Sequence, residues 1–158
     1  MSDSAAAQDT VETEFVETAV AAADAARQVA LMHFRAGVNI ERKPDRTPVT
    51  VADRESEQRI KEVILARHPQ HGFLGEESGA SDGDGEWRWV IDPIDGTKSF
   101  ATGNPTFGAL IARLRRGEPV LGVIDPAALE ERGVGVARSA TTPNATRCAP
   151  NTVAQIAD

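Results

Sequence analysis

The stretch from Trp87 to Phe100 reads WRWVIDPIDGTKSF, and it leaves the chain few choices. The apolar run Trp87 to Ile91 reads as a buried strand. It delivers Asp92 and Asp95, three residues apart, into a Pro/Gly turn, with a hydroxyl and a lysine following at once. Pro93, between the two aspartates, has its φ fixed by its ring and so fixes the turn. Two hard carboxylates at a strand end, beside a turn with free backbone N–H groups, suit a divalent cation and a phosphate together. An isolated Asp-Gly would be an ordinary turn. Here a strongly apolar run leads into the pair and Pro93 stands between its members, which sets the pair apart.

The rest of the chain falls into two helices followed by short strands. Apolar residues recur at helical spacing from Val11 to Phe34, with Gly37 as the stop. Residues 1–10 read as a frayed tail. Arg42 to Pro48 is a charged connection, and a second helix is expected from about Thr50 to His68, closed by Pro69, with Ile60, Val63 and Ile64 as its buried stripe. Beyond it, Phe73-Leu74-Gly75 leads into Glu76-Glu77, and Gly79 to Gly85 is a polar glycine-rich loop. Phe107–Leu114 and Val120–Ile124, flanking Arg115 to Pro119, read as an antiparallel hairpin, and Gly133–Ala137 as a further strand. Thr141 to Asn151 is turn-rich. Helices first and hairpin strands after predict an α+β class: two helices packed on a largely antiparallel sheet.

The 158 residues suffice for one domain with a real core, and 41% hydrophobic content predicts folding over most of the length. With five Phe, two Trp and no Tyr, that core must rest on Val, Ile, Leu and Ala. A net charge of −7 argues against a nucleic-acid surface, but not against an anionic substrate, because bound cations reverse the sign of a local site. No apolar run reaches membrane-spanning length. Cys148 is the single cysteine, so neither an internal disulfide nor a cysteine zinc site is expected. The N-terminus lacks a basic start and an apolar h-region, so a cytoplasmic protein is expected.

Three segments, Lys43-Pro44-Asp45-Arg46-Thr47-Pro48-Val49-Thr50-Val51-Ala52-Asp53, Gly75-Glu76-Glu77-Ser78-Gly79 and Trp89 to Thr97, resemble the inositol monophosphatase superfamily in order and spacing. The resemblance implies a magnesium-dependent, lithium-sensitive phosphomonoesterase with two or three Mg²⁺ ions and a small phosphorylated substrate. It implies the first half of an α-β-α-β-α layered sandwich. Position by position, Glu76, Asp92 and the backbone carbonyl of Ile94 would hold a first metal, and Asp92 and Asp95 a second. Gly96 and Thr97 would present N–H groups to the phosphate, and Thr97 with Asp53 behind it would orient the attacking water. Lys43 matches a basic position of the family and is a candidate contact.

Gly96 to Phe100, Pro105, Gly108 to Ala112 and Glu130 to Gly135 are most similar to the bacterial histidinol-phosphatase branch, which implies cleavage of L-histidinol phosphate to L-histidinol and phosphate. Inositol 1-phosphate and 3′-phosphoadenosine 5′-phosphate are the alternative substrates. The resemblance covers residues 11–158, expected to be the metal-site domain with the family's C-terminal domain absent. A catalytically incomplete metal-binding fragment, or a half-domain that dimerises through its uncovered sheet face, is therefore the competing reading.

The residues also admit plainer roles. Thr50 and Asp53 match an S/T-x-x-D capping box. Glu76-Glu77 could be a solvated strand end, and Lys43 a solvated lysine. His33, His68 and His71 show no metal-ligand spacing and read as structural or surface residues. Asn144-Ala145-Thr146 is a glycosylation sequon by pattern only.

Overall fold

The computed structural model describes residues 3–37, 40–44, 48–129 and 131–137, with side chains from residue 13 onward. Asp45, Arg46, Thr47, Glu130, the turn-rich stretch with its sequon, and Cys148 lie outside the described residues. Two helices, α1 (Asp3–His33) and α2 (Val51–Arg67), pack on one face of a six-stranded sheet. Its strands are β3 (Gly72–Gly75), β4 (Gly79–Ser81), β5 (Trp87–Asp95), β6 (Gly108–Arg115), β7 (Glu118–Asp125) and β8 (Gly133–Val136), in the order β4-β3-β5-β6-β7-β8. Only β3 and β5 run parallel; every other pairing is antiparallel. The expected α+β layering is what forms.

The helix α1 begins at Asp3 rather than Val11, so residues 3–10 continue a helix where an irregular tail was expected. Ala5-Ala6-Ala7 has the strongest helix propensity available. The other end closes where Arg35 and Gly37 take left-handed φ values of 60° and 77°. Small residues let α1 sit close: Ala19, Ala22, Ala23 and Ala26 meet Ile60 and Ile64 of α2, and Phe73, Trp89, Ile91, Ile111, Leu121 and Val123 of the sheet. A second cluster of Ala30, Ala52, Ile94, Phe100 and Phe107 lies under the Asp-Gly turn.

Two short pairings escaped the sequence reading. The charged connection contains an antiparallel ribbon, β1 (Ile40–Arg42) with β2 (Pro48–Thr50), and the glycine-rich loop contributes β4. Each strand has only three residues, too few for any alternation to register. The β6–β7 hairpin turns on Arg116 and Gly117, both at positive φ (51° and 89°), as a two-residue turn compatible with strand twist requires. Among the described residues no helix is long and apolar enough to cross a membrane.

Candidate active site

The strand β5 does not stop at Ile91; it carries the two aspartates within it. Asp92 pairs with Leu110 and Asp95 with Gly108, so Pro93 and Ile94 together oppose one residue of β6. That is a β-bulge, and proline fits it because a bulged residue owes the ladder no N–H. The bulge decides the geometry. Residues three apart on a regular strand face opposite sides, but Leu110 and Gly108 share a side, so their partners Asp92 and Asp95 do too.

Glu76 arrives from the neighbouring strand. Its N–H donates to the Ile91 carbonyl at 3.2 Å, extending the parallel β3–β5 ladder by one residue and setting Glu76 beside Asp92. The Asp92 carboxyl is pushed up to about 7 by burial, by the charge of and a hydrogen bond with Glu76, and by the charge of Asp95. Its Oδ1 is buried with no hydrogen-bond partner. The charges of Glu76 and Asp95 thus both act against ionisation of Asp92.

Lys43 bridges Glu76 Oε1 at 3.1 Å and Glu77 Oε1 at 2.7 Å. Burial lowers the Lys43 ammonium, but the two carboxylates outweigh it and hold it above its ordinary value. Glu77 itself is raised, by burial first, against the opposing pull of Lys43.

Asp53 and Thr97 join the two sides of the site. Thr50 N–H donates to Asp53 Oδ2 at 2.7 Å and the Asp53 N–H faces the Thr50 side chain, so the capping box at the start of α2 forms, and Thr50 Oγ1 also donates to Asp53 Oδ2 at 2.6 Å. The other oxygen, Oδ1, accepts from Thr97 Oγ1 at 3.1 Å. The capping and site roles are therefore compatible, with one carboxylate oxygen for each. Thr97 Oγ1 also lies 3.2 Å from the Ile94 carbonyl. Thr97 opens the short helix α3 (Thr97–Ala101), capped by Gly96 at φ 86°. A Cβ on Gly96 would sit 2.9 Å from the Thr106 carbonyl oxygen, so only glycine serves there.

Sequence reasoning missed Glu57, which is buried and accepts from Glu77 N–H and Ser78 N–H at 2.7 Å each. The available signal was its position one helical turn after Asp53. The histidines lie elsewhere. His33 pairs with Glu55 at 2.7 Å, while His68 and His71 stack at 4.7 Å near the start of β5.

Among the described residues, no three His, Cys, Asp or Glu stand ready as a metal-holding cluster, and Lys43 occupies Glu76 instead. The donor chemistry nevertheless fits a hard cation. Glu76, Asp92 and Asp95 offer only oxygen, and the orphaned Asp92 Oδ1 lacks the positive partner its position calls for.

Known proteins share this arrangement of segments. The bifunctional phosphatase IMPL2 of Arabidopsis thaliana, chloroplastic, is 43% identical over 130 residues, 81% of this chain and 38% of its own length. The histidinol-phosphatase of Mycobacterium tuberculosis is 43% identical over 115 residues, covering 72% of this chain and 44% of its own. This chain thus spans less than half the length of either relative. Among solved structures, a Thermotoga maritima IMPase superposes with a TM-score of 0.74 at 30% identity, covering 80% of this chain and 49% of that one. The suppressor protein SuhB of Bartonella henselae superposes with a TM-score of 0.76 at 30% identity, over 80% of this chain and 50% of that one. The profile of the inositol monophosphatase family matches residues 11–150, and this chain belongs to that family, matching its N-terminal portion.

Proposed function

We propose that Glu76, Asp92 and Asp95 form the cation site of a Mg²⁺-dependent phosphomonoesterase, with L-histidinol phosphate as first substrate and inositol 1-phosphate as second. The observation that carries this reading is the buried, unpartnered Asp92 oxygen on a carboxyl that feels the charges of both Glu76 and Asp95, together with the Asp53–Thr97 hydrogen bond. The family is typically Mg-dependent. Relatives named histidinol-phosphatase and inositol-1-monophosphatase both match, at 43% and 44% identity, which supports these two substrates.

Each residue has a part. Glu76, Asp92, Asp95 and the Ile94 carbonyl would hold two or three Mg²⁺ ions. Bound Mg²⁺ would neutralise the dianionic phosphate and acidify a water molecule. Thr97 donates its proton to Asp53, which leaves the Thr97 oxygen as an acceptor able to orient the attacking water. The Gly96 and Thr97 N–H groups would receive a phosphate oxygen, with Lys43 as a nearby cation once released from Glu76. Because the chain spans about half of its relatives, binding without turnover is the second reading, and a second copy packed on the outer sheet face belongs with it. That face carries Leu74, Val90, Ala112 and Gly122 across one uncharged row. Cys148 as the one cysteine suits a reducing compartment, the cytoplasm first.

The test is phosphate release from L-histidinol phosphate, inositol 1-phosphate and 3′-phosphoadenosine 5′-phosphate with Mg²⁺, alongside Asp95→Asn, with light scattering for self-association. Release that needs both Mg²⁺ and Asp95 supports the enzyme and ranks the substrates. Release equal in Asp95→Asn refutes the site.

A further inference from the structure

On α2, Asp53 and Glu57 are four residues apart and both only 2% exposed, so they lie one turn apart on the helix face turned into the protein. Asp53 reaches forward to Thr97, just beyond β5. Glu57 reaches the turn after β3, where its two oxygens accept from the N–H groups of Glu77 and Ser78, at 2.7 Å each. Glu76 is the residue immediately before that grip. Gly75 makes room for it: a Cβ there would lie 2.4 Å from the Glu57 carboxylate carbon and Oε1, and 2.6 Å from Oε2. No left-handed backbone requires this glycine; the glutamate does.

We propose that Glu57 is a positioning residue. Its carboxylate, fitted against Gly75, fixes the turn that carries Glu76, so that one face of α2 sets the separation between Glu76 on one side and Asp92, Asp95 and Thr97 on the other. The proposal rests on the reading of those carboxylates as a cation site. A carboxylate is the right group because it accepts at both ends. Glutamine has the same size but turns an N–H₂ toward one of the two N–H donors, so one bond is lost and two donors oppose each other. Outer groups that orient a ligand in this way typically govern metal affinity by ten- to a hundredfold.

The experiment measures Mg²⁺ affinity by calorimetry for the 158-residue chain, Glu57→Gln, Gly75→Ala, the double variant and Ile60→Val. Amide hydrogen exchange without metal is followed on the same proteins. Glu57→Gln and Gly75→Ala each weaken Mg²⁺ binding by about tenfold or more. The double variant loses less than the product of the two, because both act on one contact. Ile60→Val, in the core of the same helix, lowers the melting temperature and keeps the affinity. Without metal, the Glu77 and Ser78 amides exchange faster in Glu57→Gln while the β6–β7 ladder is unchanged. Mg²⁺ affinity in Glu57→Gln no lower than in Ile60→Val overturns the proposal, and so do unaltered Glu77 and Ser78 amides. If the unsubstituted chain itself binds no Mg²⁺, the cation-site reading fails, and the exchange data alone decide whether Glu57 holds the turn.

Discussion

The two ends of β5 solve opposite problems. At its start, Trp89 is fully buried and donates through Nε1 to His71 Nδ1 at 3.0 Å, His68 stacks on His71, and Thr18 Oγ1 lies 3.1 Å from His68 Nε2. Arg113 lies between the rings of Phe15 and Trp87, 3.2 and 3.5 Å from their centroids. Its Nε and Nη2 find no acceptor, and burial lowers the guanidinium to about 10, but two ring faces take the charge. At its finish, Asp92 and Asp95 are set on one side by a bulge, against Glu76, whose carboxylate is paired with Lys43 while Asp92 Oδ1 has no partner. The start is assembled for stability. The finish sets Asp92 against the charges of Glu76 and Asp95, an arrangement expected of the proposed cation site.

The largest expected effect separates the two ends by sign. Asp92→Asn lowers Mg²⁺-dependent phosphate release on the order of a hundredfold or more, as loss of several kcal/mol of charge stabilisation implies. It leaves the metal-free melting temperature equal or higher, because a crowded charge is gone. At the other end Trp89→Ala destabilises by about 3–5 kcal/mol, readable in urea unfolding. A fall in metal-free stability in both variants would erase the contrast.

Acidity sharpens it further. Asp92, with its folded value raised to about 7, binds a proton in competition with a cation, so Mg²⁺ should raise the melting temperature more at pH 8 than at pH 5.5. His71 behaves in the opposite sense. It accepts from Trp89 and is lowered to about 4, by burial first and by the charges of His68 and Arg113, so the unfolded chain takes up its proton first. Its contribution to stability is complete above about 6.5 and is lost as pH falls towards 4. His71→Gln should flatten the acid limb of a stability-versus-pH curve. The smallest effect is Arg113→Met, expected within about 1 kcal/mol of the parent in urea unfolding, because it keeps the packing between the rings and removes two unpartnered donors.

The candidate residues could be picked out of the sequence because they are locally marked. Asp92, Pro93, Asp95 and Gly96 lie within five residues, and Thr50 and Asp53 make a recognisable cap. The bulge could not be read. Nothing in Asp-Pro-Ile-Asp distinguishes a strand that ends from one that skips a residue and continues, since the decision is made by Leu110 and Gly108 on β6. Glu57 escaped for a related reason: among α2's many charged residues, what marks it is its tertiary contact with Gly75. Arg113 faces the core from the middle of an apolar strand, tolerated only because Phe15, far away in sequence, supplies a ring. Helix and hairpin periodicity carried the fold, while three-residue strands such as β1, β2 and β4 leave no pattern to detect.

The most direct measurement is calorimetric titration of Mg²⁺ into the chain and into Asp92→Asn at pH 7.5, with metal-free melting of both. The unsubstituted chain should bind, and the variant should bind at least about tenfold more weakly while melting no lower. Equal binding by the two, or no binding by either together with a lower melting temperature for Asp92→Asn, would contradict a cation site at the finish of β5.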